Sequence, residues 1–148
     1  MLKLRIVMGM MVGLLVGGMG LTQETTKKAD SPDGSWKLTK GEADGKALTA
    51  EQLKGGKLVI KDDKYKLTMG EIEVIEGTEK LDPSKDPKTI DIVNSNGPDK
   101  GKTFLGIYNL KGDRFRVVFS QPGKPRPTKF KTEPDSGQWL HVWTRTKE

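Results

Sequence analysis

Trp139, His141, Trp143 and Arg145 stand at alternate positions of the segment QWLHVWTR, 138–145. On an extended strand alternate side chains share one face, so two indoles, an imidazole and a guanidinium would form a single stripe. The stripe could be the aromatic wall of a ligand site with His141 as its polar handle. It could equally be packing: an outer face under the preceding Pro-rich segment, or a wide barrel interior with His141 satisfied by a neighbour. Packing is the preferred reading, because aromatic stripes more often belong to a core.

His141 is the only histidine, and cysteine is absent. Disulfides, thiolate zinc sites, a cysteine nucleophile and a lipid-modified N-terminal cysteine are therefore excluded, as are multi-histidine metal sites. No Gly-x-Ser-x-Gly nucleophile elbow occurs, and no acid, base and nucleophile converge by pattern. We expect no catalytic residue, no metal and no cofactor, and read the chain as not an enzyme. The segment NSNGPDKGK, 94–102, is rich in oxygen ligands and glycine. It lacks the acid spacing of an EF-hand and the ending of a P-loop, so it reads as a turn. KLDPSKDP, 80–87, reads as a rigid loop with Pro83 and Pro87 fixing φ.

A second candidate is the loop GKPRPTKFK, 123–131, where Lys124, Arg126, Lys129 and Lys131 occur without an acid. It could face an anionic envelope polymer, lipid headgroups or a protein partner; ordinary solvated charge is the simpler account. Aromatics do not interleave with arginines, so a nucleic-acid partner is not expected.

These residues need a scaffold. The 148 residues fit one domain. Apolar residues make up 33% and charged residues 31%, which allows a small core under a well-solvated surface. MLKLR supplies Lys3 and Arg5, and Ile6 to Leu21 follows without a charge. A basic start, an apolar run and small residues form a secretory signal pattern. We place the signal peptide at 1–20, with cleavage after Gly20. The run of 16 residues with five glycines is shorter than the ~20 a spanning helix needs; an uncleaved anchor is the alternative. Either way the remainder works outside the cytoplasm, periplasmic or extracellular, with no membrane span in the mature chain. Without residues 1–20 the formal charge falls from +6 to +4. Residues 21–32 are polar and aperiodic and read as a flexible leader; residues 33–148 are the folded domain.

From Gly34 onward short apolar segments alternate with turn signals, which predicts strands: 35–40, 57–61, 64–69, 71–77, 88–93, 103–110, 114–120 and 138–145. In 71–77 the pattern puts Ile72 and Val74 inward, with Glu71 and Glu73 outward. Leu48 to Leu53 predicts one short helix, with a Thr49–Gln52 capping box inside a Leu48–Leu53 staple and a stop at Gly55-Gly56. The fold class is all-β: an up-and-down antiparallel barrel of about eight strands with one short helix after the first strand, covering one end.

Gly34 and Trp36 in GSWKL, with Arg145 in VWTR, resemble the Gly-x-Trp start and basic finish of lipocalins and other calycins. The resemblance implies that Arg145 packs across Trp36 and closes one end of a barrel, with Trp36 as a plug. The segments DGKAL, KLDPSKDPKTIDI, NGPDKGKTFLGIYNLKGD, FSQPGKPRPTKF and SGQWLHVWTR look like an uncharacterised secreted domain family, known chiefly from planctomycete bacteria and described as lipocalin-like. It covers nearly everything from Asp33 to Lys147. That family implies a fold and an address, not a reaction. The last strand of many relatives is aliphatic; here it carries Trp139, His141 and Trp143.

The expected function is that of an exported lipocalin-like domain holding a small apolar or amphipathic molecule. Leu58, Ile60, Tyr65, Leu67 and Ile90 would form one part of the wall, and Ile92, Phe104, Tyr108, Phe115 and Phe119 the other. A barrel of this size can also be filled by its own side chains. The alternative is then a packed envelope interaction module using its basic loop.

Overall fold

A computed structural model describes residues 31–70 and 73–147. The expected signal peptide, and the leader apart from Ser31 and Pro32, lie outside the described residues.

Among the described residues nine strands and one helix follow in order. They are β1 (Gly34–Ala43), β2 (Lys46–Ala47), α1 (Ala50–Leu53), β3 (Lys57–Lys61), β4 (Lys64–Met69), β5 (Glu73–Asp82), β6 (Lys88–Asn94), β7 (Thr103–Lys111), β8 (Arg114–Phe119) and β9 (Trp139–Arg145). Strands β3 to β9 each pair antiparallel with the next, β1 pairs with β3, and β1 meets β9 to close the ring. The result is the expected eight-stranded up-and-down barrel. Strand β2 is an unpredicted ninth, folded back on β1 through Glu42 and Ala47. No helix among the described residues is long and apolar enough to cross a membrane.

Local chemistry explains the tight ring. Asp62 and Asp63 both have φ near +60°, the conformation of a two-residue type I′ hairpin, whose twist matches that of its strands. Helix α1 begins as predicted. Gln52 N–H donates to Thr49 Oγ1 at 3.3 Å, and Thr49 N–H donates to Gln52 Oε1 at 2.9 Å. Leu53 packs on the interior cluster, and Gly55 lies against Gly70 of the β4–β5 connection. The helix thus sits beside that connection, at the end of the barrel opposite Trp36.

Trp36 is buried and plugs the other end. Its Nε1–H donates to Pro32 O at 2.8 Å, and its ring packs 5.5 Å from that of Phe115. The Arg145 guanidinium lies 4.2 Å above the indole, donates to Asp33 O at 2.6 Å and approaches Asp113 Oδ1 at 3.4 Å. A cation over an indole contributes about 0.5–2 kcal/mol. Gly34 has φ +133°, and a Cβ there would meet Arg145 at 2.9 Å; the glycine of Gly-x-Trp is what lets the guanidinium approach.

The chain buries two apolar layers. The inner one fills the barrel around Trp36, Leu38, Phe115 and Trp143. The outer one, Ile107, Val118, Leu140 and Val142, lies on the outside of β7–β9 under Phe130 of the long β8–β9 connection. Arg116 covers the Phe130 ring at 4.4 Å. The Pro-rich segment therefore does pack on the outside of the last strand, but on Leu140 and Val142. The Trp139–His141–Trp143 stripe faces inward.

One predicted phase is corrected. Val74 points outward and is 43% exposed, whereas Ile75 packs on the inner cluster. Directly opposed residues share a face, and Ile75 opposes inward Leu67 while Gly77 opposes inward Tyr65. Ile72 and Glu71 lie outside the described residues.

Candidate functional site

The barrel is not completely filled. A cavity of about 220 Å³ lies inside it. Leu58 and Ile60 of β3, Tyr65 and Leu67 of β4, Ile90 and Ile92 of β6, Phe104 of β7, and Phe115 and Phe119 of β8 line it. Those are the expected wall residues with one exception. Tyr108 is buried outside the lining, its ring edge-on to Phe115 with centroids 6.0 Å apart.

Strand β9 supplies the rest of the aromatic wall. Trp139 lies between Phe104 and Phe119, with ring centroids 5.4 Å from each. His141 stands edge-on to Trp143 at 5.5 Å, and all three β9 residues line the cavity. A register shift in β1 between Leu38 and Lys40 makes room. It turns Gly41 rather than Lys40 toward His141, as an added residue in one strand does. His141 has no hydrogen-bond partner among the described residues, and burial pushes its pKa down to about 4. The ring is therefore neutral at ordinary pH.

Two polar groups from β4 and β6 satisfy each other. The Tyr65 hydroxyl donates to Asn94 Oδ1, and both residues are buried. Gly77 makes this possible, because a Cβ there would overlap the Tyr65 phenol and the Val93 carbonyl. Burial, with a smaller contribution from the charge of Glu79, pushes the Tyr65 pKa up to about 12.

Glu79 is different. The corrected phase of β5 carries it inward, where it lines the cavity opposite Ile92. Its backbone N–H is bonded to Asp63 O at 2.9 Å. Its side chain is buried and neither carboxylate oxygen has a hydrogen-bond partner. Burial foremost, then the charges of Asp33 and Asp63, push its pKa up to about 7. Sequence reading missed it because EVIEG also fits an alternation one residue out of step. The signal that could have found it is Leu81, which fixes the odd-numbered face as the inner one.

Among the described residues no lysine or arginine lines the cavity, and Asp99 and Gln121 enter from the loops at the end away from Trp36. No group of three metal-ligating side chains occurs among the described residues.

The basic loop lies elsewhere. Lys124, Arg126, Lys129 and Lys131 gather around a polar hollow on the outer surface, which Glu133 and Asp135 also line. Arg126 is held by Asp91 Oδ1 at 2.7 Å and Gly106 O at 2.8 Å, and Lys131 stands 3.8 Å from Glu133. Part of its charge is thus neutralised within the fold.

No family model, curated protein or solved structure matches this chain.

Proposed function

We propose that the chain is an exported, non-catalytic, lipocalin-like barrel that holds one small apolar or amphipathic molecule. The observation that carries this reading is the cavity, an interior space walled by aliphatic and aromatic side chains from β3 to β9 with a few polar groups among them. Ligand sites share that composition. The Arg145–Trp36 closure supports kinship with calycins, and the basic start followed by an uncharged Ile6–Leu21 run supports export. The alternative, an envelope module acting through its basic loop, has less to stand on, because Arg126 is committed to Asp91 and acids share the hollow.

Trp139 and Trp143 line the cavity, so their fluorescence reports on its contents. Titration with a one-ring neutral compound such as phenethyl alcohol should give a saturable one-to-one change and raise the melting temperature. A change linear in ligand, with no thermal shift, would remove the basis for the proposal.

A further inference from the structure

The Glu79 side chain makes no hydrogen bond within the barrel it sits in. It is 6% exposed, and both carboxylate oxygens lack a partner. A buried polar group without a partner is destabilising, and an apolar side chain would suit this wall better. Glu79 itself lines the cavity.

We propose that Glu79 anchors a small organic cation, an amine on an aromatic or aliphatic body, in the barrel cavity. The inference rests on the cavity being a ligand site. Five features of the cavity and its surroundings select that chemistry. Two free carboxylate oxygens accept from an ammonium group, and charge-assisted hydrogen bonds are the strong ones. The neighbouring wall is rich in indole and phenyl faces, including Trp143, Phe115 and Trp139, and such faces attract cations. Among the described residues no lysine or arginine lines the cavity, and His141 is held neutral by burial. An anionic ligand would therefore meet Glu79 and Asp99 with no cation to offset them. Asp33 and Asp63, whose charges act on Glu79, deepen the negative potential at its end of the cavity. Size sets the last limit. A cavity of roughly 150 Å³ takes a benzene ring, so about 220 Å³ admits one ring with a short arm.

Three probes sharing a phenyl ring separate the possibilities: phenethylamine, phenethyl alcohol and hydrocinnamate, which are cationic, neutral and anionic. Their affinities are measured by calorimetry on the full chain and on Glu79→Gln, in buffer alkaline enough to ionise Glu79. The expected result is that the wild-type protein binds the amine about tenfold or more tighter than the alcohol and the anion weakest. In Glu79→Gln the amine preference should collapse toward unity while the alcohol binds as before. Equal amine and alcohol affinities, a preference for hydrocinnamate, or an amine preference that survives in Glu79→Gln each overturn the inference and leave the cavity reading standing. Binding of none of the three overturns the cavity reading, and this inference with it. The wild-type comparison decides even if the variant does not fold.

Discussion

Glu79 and His141 are an acid and a base whose neutral forms are favoured for the same reason, loss of water, and their effects on stability oppose each other. Glu79 has a folded pKa raised from 4.5 to about 7. Its contribution is full below pH 4.5 and is lost as pH rises through 7. His141 has a folded pKa lowered from 6.5 to about 4. Its contribution is full above pH 6.5 and is lost as pH falls through 4. Each amounts to something of order 3 kcal/mol across its window. Between pH 4.5 and 6.5 the two slopes partly cancel. Urea unfolding across this range should show Glu79→Gln gaining stability as pH rises and His141→Gln losing it. Slopes parallel to wild type in both variants would show that neither group is desolvated as described.

At the scale of the element, β5 joins the fold to the site. Its inner face reads Ile75, Gly77, Glu79, Leu81, and Gly77 leaves the space that the Tyr65 phenol occupies. Gly77→Ala should lower stability by about 1–3 kcal/mol, read as a shifted urea midpoint, because the new methyl displaces Tyr65 from Asn94. The exposed neighbour Thr78 serves as a control, and Thr78→Ala should stay within about 0.5 kcal/mol. A Gly77→Ala protein as stable as the control would show that the phenol lies elsewhere. The same strand shows where reading from residues alone reached its limit. Segments with one clean alternation, such as Leu58 and Ile60 or Phe115 and Phe119, show their inner face in the sequence, because only one phase buries their apolar side chains. The helix cap is legible from local chemistry, whereas the Trp36–Arg145 closure is legible only through the resemblance to calycins. In EVIEG both phases bury one aliphatic residue, and only pairing with Leu67 across the sheet decides between them. Strand β9 was ambiguous in another way. Both of its faces are apolar, and which one turns inward depends on the loop that covers the other.

Across the whole molecule, the 120–138 connection behaves as a strap tied at separate points. Arg126 fastens it to Asp91 and the Gly106 carbonyl. Thr132 donates from its N–H and its hydroxyl to Glu42 Oε1, at 2.8 and 2.6 Å, and these bonds hold the Glu42 carboxyl below its usual range. Asp44 accepts from Gly137 N–H at 2.6 Å. Arg126→Ala should remove about 1 kcal/mol, since the pair is partly solvated. The local effect should be larger and visible as faster tryptic cleavage after the exposed Lys129. Unchanged cleavage would mean that the remaining ties suffice.

Beneath that strap lies the second apolar layer, Ile107, Val118, Leu140 and Val142. The closed ring leaves only the two-residue β2 as a sheet edge, so its exposure to self-association moves to this patch. Nicking or lengthening the strap around Phe130 would leave the ring closed, yet would yield a protein that clumps through its flank, its solubility governed by a segment that takes no part in closing the barrel.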